Sequence, residues 1–254
     1  MILAIDIGNT NIVISCIDKQ KTYFIERIST DKSKTELEYA IMFKNVLDIY
    51  KMDATVLDGG IVCSVVPQIT QIVRLAAEKI IHKKVLVLGP GIKTGMNILI
   101  DNPAQVGGDL IAAAVGAVTE YPVPLIVIDM GTATTVTVVD KKKNFIGGMI
   151  LPGIRTALDA LTNNAAQLSG IDLVPPKRVI GKNTIECMKS GIINSNAAAV
   201  DGMIIRLEEE LGCKATRVAT GGLAKSIIPY CKEQVILDDD LLMKGLWVIY
   251  EKNK

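Results

Sequence analysis

Apolar and polar residues alternate along the chain in a pattern that predicts two successive series of strands and helices. Predicted strands of the first series cover residues 2–5, 12–14, 22–28, 60–66 and 84–88. Its predicted helices cover 35–51 and 67–81, the first with a capping box of Thr35 and Glu38 and the second opened by Pro67. Three consecutive strands followed by alternating helices and strands predict a mixed sheet with helices packed on it.

The second half of the chain repeats this order. Predicted strands cover residues 125–130, 134–139, 144–150 and 215–220. Helical spacing covers 105–121, 183–212 and 241–250. We place the boundary near the helix at 105–121, which gives an N-terminal lobe of residues 1–115 and a C-terminal lobe of residues 116–254.

The first predicted hairpin has a polar turn that carries Asp6, Gly8, Asn9, Thr10 and Asn11. Small and hydroxylated residues allow backbone N–H groups to approach an anion closely. A carboxylate at a strand end can hold Mg²⁺ through water. The turn therefore predicts a cradle for a nucleotide phosphate, and the alternative is an ordinary hairpin with an Asn-rich turn.

A second copy of this pattern favours the phosphate-binding interpretation. Residues 126–138 again place apolar runs around an Asp-x-Gly-Thr turn, with Asp129, Gly131 and Thr132. Two such turns, separated by roughly half the chain, indicate an internal duplication.

Composition and charge narrow the class of protein. Of 254 residues, 49% are apolar, and 28 basic against 27 acidic side chains give a net charge of +1. We therefore expect neither nucleic-acid binding nor attachment to an anionic membrane. No targeting segment or membrane span is evident, and we expect a cytoplasmic protein. The five cysteines are dispersed and lack metal-binding spacing, so we expect reduced thiols.

Acid–base chemistry falls to carboxylates, because the single histidine, His82, lies beside two lysines at a predicted helix end. Asp109 follows Gly107 and Gly108 at the start of a predicted helix. It could simply cap that helix. If it projects into a nucleotide cleft, it could accept the proton of a hydroxyl that attacks the γ-phosphate, since phosphoryl transfer requires mainly positioning and charge neutralisation.

The duplicated pattern resembles the actin, sugar-kinase and heat-shock ATPase superfold. Within it, the whole chain resembles the type III pantothenate kinase family. The matching motifs are residues 6–11, 89–95, 102–109, 129–135, 147–148, 152–153, 181–184 and 219–224. The implied α/β fold has two duplicated ribonuclease H-like lobes of mixed sheet with packed helices and a nucleotide cleft between them.

The resemblance also implies an activity, namely ATP-dependent phosphorylation of pantothenate in coenzyme A biosynthesis, by a homodimer. It implies ATP binding by Asp6, Ile7, Gly8, Asn9, Thr10, Asn11, Ile12, Val13 and Thr132. It implies Asp109 as the catalytic base, and pantothenate contacts by Ile100, Gly107, Gly108, Asp109, Leu110 and Thr184. Asp129 is the implied ligand of a monovalent cation, K⁺ or NH₄⁺, which acts beside Mg²⁺.

Residues on the acceptor side, where pantothenate is expected to bind, depart from the family pattern. The departures are Gly108-Asp109-Leu110 for Ala-Asp-Arg, Ile100 for Tyr, Leu168-Ser169 for Leu-Pro, and Asn194-Ser195 for Tyr-Gly. Losing an arginine clamp on the pantothenate carboxylate costs about 1.5–3 kcal/mol, unless Lys93, Arg155 or Lys182 replaces it. Two alternatives stay open: a non-catalytic or partner-dependent nucleotide-binding protein, such as one half of a heterodimer with a related chain, and a kinase for another small alcohol.

Overall fold

The computed structural model describes residues 1–165, 168 and 170–254, so the departure at Ser169 lies outside the described residues. The described chain divides into two compact units. The first unit comprises Met1–Glu120 and Asp240–Lys254, and the second comprises Tyr121–Asp239. These units differ from the lobes expected at 1–115 and 116–254, because the expected boundary falls inside a helix and the last helix belongs to the first unit.

The elements follow the predicted order closely. The strands are β1 Ile2–Ile7, β2 Asn11–Ile17, β3 Thr22–Ser29, β4 Gly60–Ser64, β5 Val85–Val87, β6 Leu125–Met130, β7 Ala133–Val139, β8 Phe145–Pro152, β9 Thr216–Thr220 and β10 Ile236–Leu237. The α-helices are α1 Glu36–Ile49, α2 Pro67–Ile81, α3 Gly108–Glu120, α4 Ile154–Asn164, α5 Thr184–Leu211, α6 Ala224–Ile227 and α7 Leu241–Glu251. Short 3₁₀ helices cover Ala54–Val56, Pro103–Gln105 and Ile228–Tyr230.

The two units contain sheets of the same topology. The strand order is β3-β2-β1-β4-β5 in the first unit and β8-β7-β6-β9-β10 in the second. In both, the first three strands are antiparallel neighbours, and the central strand also pairs in parallel with the strand on its other side. This correspondence confirms the predicted duplicated α/β fold with mixed sheets.

Alternate residues of β1 face opposite sides of the first sheet, as the two-residue period of a strand requires. Leu3, Ile5 and Ile7 pack in a core with α1 and α2, whereas Ile2 and Ala4 pack in a core with α3 and α7. Asp6 continues the series of Ile2 and Ala4. It therefore lies at the end of β1 on the same side of the sheet as α3.

Local signals set the helix ends in the first unit. The Thr35 hydroxyl accepts a hydrogen bond from Glu38 N, and the Glu38 carboxylate accepts one from Thr35 N, so the capping box is confirmed. Pro67 opens α2, and exposed His82 ends it in a left-handed conformation. In the part of the chain that the structure describes, the helices are too short or too polar to cross a bilayer.

Helix α3 is held against α7 by an unusually close backbone contact. A Cβ added at Gly116 would overlap the Leu241 carbonyl oxygen, and one added at Gly245 would overlap the Ala112 carbonyl oxygen. Only glycine permits this approach. The contact fixes α3, and with it Asp109, on the first sheet.

We expect Gly245→Ala to lower the free energy of unfolding by about 3 kcal/mol, because its methyl group would force the α3 and α7 backbones apart. Gly191→Ala is the matched control, since Gly191 is also helical but has no atom within 4 Å of an added Cβ. The control should gain about 1 kcal/mol from helix propensity. Urea denaturation measures both changes. Equal stability of the two variants would contradict the close contact.

Candidate active site

The first hairpin presents a short exposed turn beside Asp6. Gly8 N donates to Asn11 O at 3.0 Å, which closes the turn around exposed Asn9 and Thr10. Thr30 follows β3 and braces the turn, donating through its hydroxyl to Gly8 O at 2.7 Å and through its amide to Thr10 O at 3.0 Å. The polar turn is thus accessible to a ligand and held in one shape.

Two residues of the predicted ATP-binding segment cannot bind through their side chains. Ile7 and Ile12 are paired across the hairpin, and both are fully buried in the core with α1 and α2. Val13 pairs with Asp6 and is half-buried on the face of the sheet opposite to Ile7 and Ile12. Ile7 and Ile12 can therefore contribute only main-chain groups, while the side chains of Asp6 and 9–11 remain for ligand contacts.

Asp109 lies in the first turn of α3, as its sequence position predicts. Its Oδ1 accepts a hydrogen bond from Leu110 N at 2.9 Å. The carboxylate folds back over Gly107, where an added Cβ would overlap Oδ1. Gly107 therefore leaves the space that this conformation of the carboxylate occupies.

Burial raises the pKa of the Asp109 carboxyl above its ordinary value, although hydrogen bonds from backbone N–H groups partly offset this effect. The position at a helix N-terminus alone would favour the charged form. Here the desolvation of the carboxylate outweighs the effect of the helix N-terminus. A carboxylate with a raised pKa binds a proton more strongly, which suits a general base.

Cys63 lies close both to Asp6 and to the start of α3, the helix that carries Asp109. It is the direct partner of Asp6 in the parallel pairing of β1 with β4, and it is completely buried. Burial raises the pKa of the Cys63 thiol, and the charges of Asp6 and Asp109 raise it further. No sequence motif singles out Cys63, but the alternation of side chains along β4 is a signal that places it on the face of α3.

The second unit contains an equivalent hairpin with a tighter turn. Gly131 N donates to Ala133 O at 3.0 Å, so one residue, exposed Thr132, forms the tip where the first hairpin has two. The Thr156 hydroxyl donates to Thr132 O at 2.9 Å, in the same way that Thr30 braces the first turn. The predicted duplication thus extends to the bracing hydroxyl but not to the turn length.

Asp129 ends β6 next to the turn that follows β9. It pairs with Thr135 on one side and Thr220 on the other. The next residue, Gly221, has φ +93°, and a Cβ there would overlap Asp129 Oδ1. The Asp129 carboxylate therefore lies directly against the glycine turn.

The other predicted acceptor-side residues lie at partly or fully exposed positions. Ile100 and Leu110 are half-buried in the first unit, and Thr184 is exposed at the start of α5 in the second. The candidate replacements for the missing arginine, Lys93, Arg155 and Lys182, are all exposed. At the other departure, the Asn194 amide bonds back to Ser190 O at 2.9 Å within α5.

Solved structures share this fold over almost the whole chain. A structure described as a conserved Baf family transcriptional activator from Campylobacter jejuni matches with a TM-score of 0.62 at 18% identity, covering 99% of this chain and 98% of the other. The activator of 2-hydroxyisocaproyl-CoA dehydratase from Clostridium difficile, solved with bound ADPNP, matches with a TM-score of 0.57 at 13% identity, covering 98% and 93%. At such identities the likeness defines the fold class, a duplicated two-unit α/β protein, and no more.

The sequence comparisons define the family within that class. A family model described as type III pantothenate kinase matches residues 2–206. Type III pantothenate kinases from Exiguobacterium sp. and Moorella thermoacetica are 41% and 42% identical to this chain, and each alignment covers both proteins completely. The chain belongs to the type III pantothenate kinase family.

Thr134 in the second hairpin provides a test of the local packing. Among the described residues, its buried hydroxyl is a polar atom without a hydrogen-bond partner. It pairs with Met130, at the position that corresponds to Ile12 in the first hairpin. We expect Thr134→Val to raise the free energy of unfolding by about 1 kcal/mol, because an unpaired buried hydroxyl is costly.

The control for this substitution is Thr70→Val, measured by the same denaturant titration. The Thr70 hydroxyl donates to Ser64 Oγ at 2.7 Å and contacts Val66 O at 3.0 Å, so its removal should destabilise the protein. A loss of stability in Thr134→Val would show that this hydroxyl has a partner.

The raised pKa of Asp109 predicts a pH-dependent cost to stability. Above the pKa of the unfolded chain, the unfolded state loses its proton more readily than the native state, so ionisation favours unfolding. This cost is absent below the pKa that Asp109 has in the unfolded chain, and it is complete above the pKa that Asp109 has in the native protein. Asp109→Asn should therefore be more stable than the native protein at pH 7, and the difference should shrink as the pH falls toward about 4.

Asp53→Asn is the control for this pH series. Asp53 is exposed, and hydrogen bonding from Thr55 lowers the pKa of its carboxyl, so removing its charge should bring no gain at pH 7. Thermal unfolding from pH 4 to pH 8 distinguishes the two variants. A gain at pH 7 that is the same for both would contradict a specific cost at Asp109.

Proposed function

We propose that this chain transfers the γ-phosphate of ATP to the primary hydroxyl of pantothenate, giving 4'-phosphopantothenate in the first step of coenzyme A biosynthesis. The proposal rests mainly on sequence similarity. About two residues in five are identical between this chain and type III pantothenate kinases over the complete chain. The geometry of the first unit supports it, because Asp6 pairs with Cys63 and the backbone just before Asp109 lies against the Cys63 sulfur.

The family resemblance implies ATP-binding groups in each of the two hairpins. Residues 6–13 supply the exposed turn and its backbone N–H groups for the phosphates, and Thr132 supplies the tip of the second hairpin. The buried side chains of Ile7 and Ile12 serve only to hold the turn in place. Glycine at position 8 allows the close approach of Asn11 O, which an added Cβ would meet at 3.0 Å.

The acceptor would bind along the first turn of α3, with contacts from Ile100 and residues 107–110, and the family resemblance implies a further contact by Thr184. Its hydroxyl oxygen forms a bond to the γ-phosphorus as the bond to the β–γ bridging oxygen breaks, and the Asp109 carboxylate takes the hydroxyl proton. Burial favours this transfer, since the raised pKa of Asp109 makes it a stronger proton acceptor. Backbone donation from Leu110 N orients the carboxylate.

Two cations fit the carboxylates of the hairpins. The half-buried Asp6 carboxylate offers oxygen donors of the kind that Mg²⁺ prefers, and the family resemblance assigns a monovalent cation, K⁺ or NH₄⁺, to Asp129. Because Gly221 has no side chain, the Asp129 carboxylate can lie directly against the turn that follows β9. The cations would neutralise phosphate charge during transfer.

We also propose that the protein acts in the cytoplasm as a homodimer. A heterodimer with a related chain is the alternative, because it could supply the arginine that position 110 lacks. The near-neutral net charge of +1 supports a small-molecule substrate over nucleic acid.

Asp109→Asn tests the catalytic assignment. The native protein, supplied with ATP, Mg²⁺, K⁺ and pantothenate, should form phosphopantothenate, and the variant should lose at least about 10²-fold in kcat because no base remains. ATP affinity measured by calorimetry should stay nearly unchanged. Turnover within a few-fold of native would reduce Asp109 to a helix-capping residue, and no product from the native chain would exclude the proposed activity.

Leu110→Arg tests whether the acceptor side is incomplete. An arginine in this position could bind the pantothenate carboxylate in two hydrogen bonds, so we expect a KM for pantothenate roughly tenfold lower. The KM for ATP should not change. Leu110→Lys is the control, since it adds the charge without the planar fork and should recover less. An unchanged KM for pantothenate in Leu110→Arg would mean that another cation already binds the carboxylate.

A further inference from the structure

We propose that Cys63 is a positioning residue for the phosphoryl transfer: its thiol orients Asp6, and its sulfur sets the position of the first turn of α3, which carries Asp109. The inference deepens the proposed function and rests on it. Cys63 touches neither substrate nor ATP in this account. It acts through its contacts with Asp6 and with the backbone of the first turn of α3.

The contact with Asp6 follows from strand register. Cys63 in β4 is the direct partner of Asp6 in β1, and residues at the same level of neighbouring parallel strands point to the same face of the sheet. The Cys63 thiol therefore lies next to the Asp6 carboxylate, to which it can donate a hydrogen bond. Because Cys63 has no exposed surface, water cannot reach the thiol. The Asp6 side chain is thereby held on the face that carries α3.

The contact with α3 follows from the absence of a side chain at Gly108. A Cβ added there would lie 3.2 Å from Cys63 Sγ and 3.4 Å from the Leu88 side chain. The backbone of the first helical turn therefore rests on the sulfur. Gly108 immediately precedes Asp109, so a change in the volume of residue 63 shifts the base as well as Asp6.

The two contacts together give Cys63 a role that its burial alone does not. Cys16 is equally buried in the same sheet, but it lies in the core with α1 and α2, on the face away from α3. Cys16 therefore provides a comparison within the same unit, because it is a buried thiol of the same size. Loss of packing alone should affect both positions similarly.

The first experiment compares Cys63→Ala, Cys63→Ser and Cys16→Ala in the full-length protein. Cys63→Ala should raise the KM for ATP about fivefold and lower kcat about fivefold, with little change in the KM for pantothenate. Cys63→Ser keeps a hydrogen-bond donor and should restore the KM for ATP to within twofold of native. Cys16→Ala should keep native kinetic constants, although its melting temperature falls by a similar amount to that of Cys63→Ala.

Three results would overturn the role in orienting Asp6. These are native kinetics in Cys63→Ala, equal impairment of the serine and alanine variants, and the same kinetic loss in Cys16→Ala. Each would show that residue 63 contributes packing only.

The second experiment tests the spacing by a double-mutant cycle with Gly108→Ala. In the native background, the added methyl group meets the sulfur, and we expect kcat to fall about tenfold. In the Cys63→Ala background the sulfur is gone, so the same substitution should cost no more than about twofold. Equal losses in the two backgrounds would contradict coupling through the sulfur.

A spectroscopic measurement keeps the test independent of activity. The Raman S–H stretch that is lost in Cys63→Ala identifies the band of this thiol in the native protein. That band should move to higher frequency in Asp6→Ala, because the S–H bond strengthens when its acceptor is removed. An unchanged band would overturn the contact with Asp6 even in an active enzyme, whereas failure to phosphorylate pantothenate with the expected shift present would count against the proposed function alone.

Discussion

Parallel pairing between β1 and β4 determines where the carboxylates of the first unit lie. The register places Cys63 beside Asp6, and the alternation along β1 directs Asp6 to the face on which α3 packs. A shift of β1 by one residue would turn Asp6 into the core with α1 and α2, and a shift of β4 would turn Cys63 away from it. The close contact of α3 with α7 then fixes the helix that carries Asp109 on this same face.

The duplicated sheets use one topology for two different local environments. Each places an aspartate at the end of its central strand, followed by a tight turn that a threonine hydroxyl braces from outside. In the first unit the aspartate, Asp6, adjoins a buried thiol, whereas in the second Asp129 adjoins a glycine turn. Duplication thus preserved the backbone framework while side chains near each carboxylate diverged.

Local patterns predicted most of the elements, because their signals lie within a few residues of each other. The capping box at Thr35 and the proline at position 67 mark helix starts that the structure confirms. The assignment of α7 to the first unit was not predictable in this way, since it depends on contacts with Gly116, more than a hundred residues earlier. Cys63 was missed for the same reason: its position beside Asp6 arises from the pairing of distant strands.

The most direct measurement is a crystal structure of the native protein with a non-hydrolysable ATP analogue, Mg²⁺ and pantothenate. The account predicts the phosphates at the turn after Asp6, and the primary hydroxyl of pantothenate within hydrogen-bond distance of an Asp109 carboxylate oxygen. It further predicts a hydrogen bond from the Cys63 thiol to the Asp6 carboxylate. Phosphates bound away from this turn, or a hydroxyl whose nearest acceptor is a group other than Asp109, would contradict it.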